Sequence, residues 1–142
     1  MSSNLEKKLS MAYFSRNHEN RRSALYSKAQ EIMRISRRIS DYLVPDLAVL
    51  NDSGNENESV YFTGDIVRHS NSLVTNISKA ETEYFQDSRM KYVASVSMLT
   101  ERLYRICERL EYTNSNGRDF LKILRHELQK FRKLQRIWKL TL

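Results

Sequence analysis

Apolar side chains recur at alternating steps of three and four along most of this chain, and that spacing constrains the fold more than any other feature. Leu25, Ala29, Ile32, Ser36, Ile39 and Leu43 form one such row. Ile66, Ser70, Leu73, Ile77, Ala80 and Tyr84 form a second, and Tyr92, Val96, Leu99, Leu103, Ile106 and Leu110 a third. The last is Leu121, Leu124, Leu128, Phe131, Gln135, Trp138 and Leu142. A 3–4 alternation keeps side chains on one face of a slightly underwound α-helix, the face that must be covered by another helix. The expected fold is therefore all-α: an elongated helical bundle or hairpin of three to four long helices with coiled-coil-like seams. With only three Gly and one Pro in 142 residues, little interrupts these helices.

The whole chain, 1–142, reads as one helical domain. Ser3 with Glu6 forms a capping box that opens a helix over about 3–43. A short seam at Leu5, Leu9 and Ala12 or Tyr13 lapses through Arg16-Asn17-His18-Glu19-Asn20 before the Leu25 row begins. Pro45 is expected to end this helix, because the residue before a proline is pushed out of the α region. A loop is expected over about 48–62, where Asn51 to Ser59 holds no apolar residue. Residues 65–112 form one helix or two. Their two seams are out of phase by one residue, which either a continuous helix that changes partners or a break near Gln86-Asp87-Ser88 would explain. Asn114-Ser115-Asn116-Gly117 supplies a turn, and a basic helix follows over about 118–140. Within its seam Gln135 is the one polar member, a type of position that fixes register or partner choice.

Charge adds the second constraint. The chain is +7 overall, with an isoelectric point near 9.6 and a mean hydropathy of −0.63. Residues 1–40 hold nine Lys or Arg against three acids, residues 41–111 seven against twelve, and residues 112–142 eight against two. Two basic ends flank an acidic middle, so antiparallel packing sets opposite charges side by side. In the last helix Arg118, Lys122, Arg125, Arg132, Arg136 and Lys139 form a stripe displaced by one position from the apolar seam. Such a stripe serves as a solvated flank, as a surface for an acidic partner, or as a phosphate-binding face on nucleic acid or an anionic membrane. Arg21-Arg22 and Arg34, Arg37 and Arg38 make a looser cluster on the first helix.

Chemistry-bearing motifs do not accumulate. The three histidines, His18, His69 and His126, lack a second ligand at metal spacing, and no Gly-rich phosphate loop or nucleophile elbow occurs. Cys107 is expected to be a small core residue. Leu103-Tyr104-Arg105 matches the tripeptide that names a family of small mitochondrial helical proteins. In that family it stands near the N-terminus, whereas here it lies in the last third of the chain and Leu103 is a seam residue. Seam positions account for Tyr84, Tyr92 and Phe131, and leave Tyr61-Phe62 and Trp138 as candidate partner contacts.

No catalytic residue, metal or cofactor is expected. The sequence predicts a non-enzymatic scaffold, adaptor or assembly subunit. Its expected partner is another protein or a second copy, met through the α-helical seam Leu121, Leu124, Leu128, Phe131, Gln135 and Trp138. The alternative is nucleic-acid or anionic-membrane binding through the basic stripe. With no run of about 18 apolar residues and no secretory h-region, the expected location is intracellular, in cytoplasm or nucleus.

Overall fold

Among the described residues, four helices carry the seams. The computed structural model describes residues 23–47, 58–111 and 118–142, with side chains described for 23–42, 63–111 and 118–142. The helices are α1 (Ala24–Leu47), α2 (Glu58–Thr82), α3 (Gln86–Glu111) and α4 (Arg118–Thr141). Each has 24 to 26 residues, giving rods of roughly 36–39 Å at ~1.5 Å per residue. The expected capping box at Ser3, the seam through Tyr13, the loop over 48–57 and the turn at 114–117 lie outside the described residues.

The helices pack in a closed cycle: α1 on α2, α2 on α3, α3 on α4, and α4 back on α1. Cross-helix pairs fix the directions. Ser36 meets Ser70 and Ser23 meets Glu81, so α1 and α2 are antiparallel. Gln135 meets Ser97, and Arg125 meets Glu111, so α3 and α4 are too. The result is an up-down-up-down four-helix bundle, in agreement with the expected fold class.

Burial follows the seams. Leu25, Ala29, Ile32, Ser36 and Ile39 of α1 and Ile66, Ser70, Leu73, Ile77 and Ala80 of α2 are all buried in the core. On α4 the whole predicted row from Leu121 to Trp138 is buried. α3 departs from its predicted row. Val93, Thr100 and Cys107 are buried beside Val96, Leu99, Leu103, Ile106 and Leu110, while Tyr92 is only half-buried. The added residues widen the apolar face of α3 between its two neighbours, α2 and α4.

The structure corrects two boundaries and settles a third. α1 continues through Pro45 to Leu47. Proline cannot donate to the carbonyl four residues back, but in the final turn that removes one bond from a helix about to end. α2 begins at Glu58, inside the expected loop. The described residues 65–111 fall in two helices. The chain reverses at Glu83-Tyr84-Phe85, a few residues before the expected Gln86-Asp87-Ser88, and Asp87 instead lies in the first turn of α3, where a negative charge suits the helix dipole. The reversal needs no Gly or Pro because Arg89 reaches back. Its Nε and Nη2 donate to the Glu83 carbonyl at 3.2 and 2.9 Å, satisfying an acceptor that the end of α2 leaves free.

The core also holds a polar contact. Ser36 Oγ lies 2.7 Å from Ser70 Oγ, and each hydroxyl also lies within reach of the carbonyl four residues back, Ile32 or Ile66. Two hydroxyl protons serve three contacts, so one serine donates across the interface while the other donates to its own helix. Removing either leaves its partner satisfied. Leu128→Ala is expected to cost about 3 kcal/mol in urea denaturation, whereas Ser36→Ala costs less than about 1 kcal/mol.

Candidate interaction surfaces

The α4 seam is consumed inside the chain. Leu121, Leu124, Leu128 and Phe131 are fully buried, and Gln135 and Trp138 nearly so. These six residues, expected to meet a partner, therefore present no accessible face in the bundle. The 3–4 spacing calls for a covering helix but does not say which chain supplies it, and here α1 and α3 flank α4. Gln135 Nε2 donates to Ser97 Oγ on α3 at 2.5 Å, so its amide enters the core with a partner from the same chain.

Trp138, expected as a partner contact, is instead 5% exposed, and its Nε1 donates to Glu81 Oε1 at 3.2 Å. The same carboxylate accepts from Ser23 Oγ. Ser23 in turn accepts from the Tyr26 backbone N–H at 3.0 Å, which makes it the N-cap of α1. Glu81 thus ties the start of α1 and the end of α4 to the end of α2.

The basic stripe divides into two kinds of residue. Arg125 Nη1 reaches Glu111 at 3.0 Å, and Arg132 Nη2 reaches Glu101 at 2.9 Å. The Arg132 guanidinium also lies 4.0 Å from the centre of the Tyr104 ring, where its charge meets the negative face of the ring. Basic end and acidic middle are joined in this way along α3 and α4. Arg118, Lys122, Arg136 and Lys139 are exposed and form no ion pair among the described residues. Arg136 and Lys139 border a groove of about 180 Å³ with Ser97, Glu101, Arg132 and Gln135.

α1 is clamped to α4 by charge. Lys28 Nζ lies 2.7 Å from Glu127 and 2.9 Å from Glu31, and Lys130 reaches the other Glu127 oxygen at 3.3 Å. The Glu127 hydrogen bond raises the Lys28 pKa, and the Lys28 bond lowers that of Glu127. A lowered carboxylate pKa gives stability that is present above the unfolded value and lost as pH falls through the folded one. A raised lysine pKa gives stability that is lost only as pH rises through the folded lysine value. The clamp therefore spans neutral pH. Lys28→Met is expected to cost about 1 kcal/mol at pH 7. The gap from wild type should close as acid protonates Glu127, as urea denaturation across a pH series will read.

The largest departure from the sequence reading is at the end of the bundle holding the α2–α3 reversal. Tyr84, assigned to a seam, is 85% exposed, and Phe85 is 68% exposed. Tyr84 lies beyond the last helical residue of α2, where the heptad spacing no longer dictates a face. The two rings contact edge to face, 5.5 Å between centres at 88°. On α4, whose C-terminus lies at this same end, Ile137 is 63% and Leu140 87% exposed. Ile137 also lines a mainly apolar groove of about 180 Å³ with Ala24, Leu25, Leu134 and Trp138. A helical wheel would have found Ile137 and Leu140, which lie three apart and off the seam.

Cys107 behaves as expected of a core residue. Burial, reinforced by the nearby Glu111 carboxylate, pushes its thiol up to about 12, far from a nucleophilic thiolate at neutral pH. Leu103 of the Leu-Tyr-Arg tripeptide is likewise core. Among the described residues no group of three or more His, Cys, Asp or Glu side chains could hold a metal ion. No described helix is long and apolar enough to cross a membrane. No family model matches the chain, and no curated protein or solved structure shows significant similarity to it. Cys107 is expected to resist a thiol reagent such as 5,5′-dithiobis(2-nitrobenzoate) in the native state and to react fully in denaturant, with the absorbance of released thiolate as the readout.

Proposed function

We propose that the protein is a non-enzymatic assembly subunit that works by helix–helix contact through one end of the bundle. The single observation that carries this reading is the exposure of Tyr84, Phe85, Ile137 and Leu140 at that end while the core seams are already filled. Tyr84 and Phe85 touch one another and Ile137 lines an apolar groove between α1 and α4, and exposed apolar surface of this kind is where contacts form. Tyr and Phe are also residue types that anchor interfaces.

The occupant to which this reading commits is a second copy of the chain. Charge around the apolar residues supports it. Exposed Asp87 and half-buried Glu83 stand at the α2–α3 reversal, and exposed Lys133, Arg136 and Lys139 stand on α4. A two-fold axis across this end sets the acids of one copy against the bases of the other, as a self-complementary interface requires.

Nucleic-acid or anionic-membrane binding through α4 is the second reading, favoured by exposed Arg136 and Lys139. Arg125 and Arg132, however, are already paired with carboxylates of α3, which reduces the stripe's free charge and places this reading behind the first.

Sedimentation equilibrium separates the two. The wild-type chain is expected to dimerise with concentration. Phe85→Asp with Leu140→Asp should return it to monomer with its helical circular dichroism unchanged, because both side chains are exposed. A strictly monomeric wild type that binds oligonucleotide with steep salt dependence would overturn the dimer in favour of the second reading.

A further inference from the structure

The acidic middle of the chain holds a cationic groove. Arg102, Arg105 and Arg109 recur on α3 at steps of three and four. They line, with Ile106 of the same helix and His69 of α2, a groove of about 230 Å³. Arg68, next to His69, is ion-paired with Asp65 one turn away. The five lining residues include no carboxylate.

The sidedness of α3 explains this concentration. At about 100° per residue, Arg102 and Arg109 fall on one flank and Glu111 on the other, with Arg105, Glu101 and Glu108 between them on the outer face. Glu101 and Glu111 are engaged by Arg132 and Arg125 of α4. The pairing that joins α3 to α4 thus draws two of these acids towards α4, and the arginine flank turns to α2. Linear charge counting hides this, because residues 86–111, with five bases against four acids, are summed together with the acid-rich residues 41–85 into one negative segment.

We propose that this groove is a binding site for a compact anion bearing two or more linked phosphate groups. Guanidinium groups present planar donor forks that match phosphate oxygens, so a row of them reads phosphate better than ammonium groups do. From Arg102 to Arg109 the row spans roughly 10 Å along the axis, at ~1.5 Å per residue. That length suits two or three linked phosphates and is short for the backbone of an extended nucleic acid. Buried Ile106 gives the groove an apolar floor, beside which charge-assisted hydrogen bonds are stronger than in open water. His69 is half-buried at the wall and adds an imidazole.

His69 also reports occupancy. Its pKa lies below the ordinary histidine value because burial, then the Arg102 charge, then the Arg68 charge, oppose protonation. The charged groups around it are Arg68 with its partner Asp65 on α2, and Arg102, Arg105 and Arg109 on α3. A bound polyphosphate reverses the sign of the field at the ring, so the imidazole titrates at higher pH when the site is filled.

This groove uses none of the residues at the Tyr84–Leu140 end, so its test is independent of the dimer reading. Sodium tripolyphosphate is titrated into the full chain by calorimetry, with the His69 Cε1–H resonance followed across pH. Saturable binding, an upward shift of the His69 midpoint, and at least a tenfold loss of affinity in Arg102→Gln with Arg105→Gln are expected. Arg136→Gln with Lys139→Gln should stay within twofold of wild type. All four side chains are exposed, and unchanged circular dichroism will show that the fold persists. Absence of saturable binding overturns the proposal, as do equal losses in the two double variants. So does a silent tripolyphosphate titration beside a single-stranded oligonucleotide or phosphatidylserine vesicle that binds and requires Arg102 and Arg105.

Discussion

The bundle depends on mutual covering of four narrow apolar faces. Helices of about two dozen residues with mixed polar composition hold little stability alone, and most of their order comes from burying an amphipathic face. α4 makes this plain, since it is heavily charged yet buries every residue of its seam from Leu121 to Trp138. Because each helix packs against two neighbours, closure is cyclic, and a defect in one seam is felt by the helices on either side. The same closure removes the seams from any external role. A partner must be met by what remains on the outside.

Polar contacts set how the helices meet. Ser36 against Ser70 couples the middles of α1 and α2, and Gln135 against Ser97 couples α3 to α4. A buried polar pair adds little net stability, but sliding one helix past the other would strand its members among apolar side chains. Charge acts in the same sense at the edges. Lys28 with Glu127 clamps α1 to α4, and Arg125 and Arg132 bind carboxylates of α3. Glu81, accepting from Ser23 and Trp138, gathers three helix ends at one point.

These commitments leave two distinct surfaces. One end exposes Tyr84, Phe85, Ile137 and Leu140 without a covering element among the described residues. The α2–α3 face concentrates Arg102, Arg105 and Arg109 beside His69. Both arise from residues that the core cannot use. The first lie beyond a helix end or off a seam, and the second line a groove with His69 of α2 rather than pairing with α4.

The sequence by itself determined the helical class, the seam of α4 from Leu121 to Trp138, nearly all of the seams of α1 and α2, and the core placement of Cys107. Each of these follows from side-chain periodicity, which the backbone geometry of a helix imposes locally. It did not determine that residues 65–111 fold back as two helices, because the reversal rests on Arg89 capping the Glu83 carbonyl rather than on a Gly or Pro. It placed Tyr84 in a seam and Trp138 at a partner contact, whereas the tertiary structure exposes the first and buries the second. It also counted residues 41–111 as one acidic block, which hid the arginines of α3, because which side of α3 meets α4 and which meets α2 is a property of packing. Periodicity specifies that a face must be covered, and only the three-dimensional arrangement specifies what covers it and which faces stay bare.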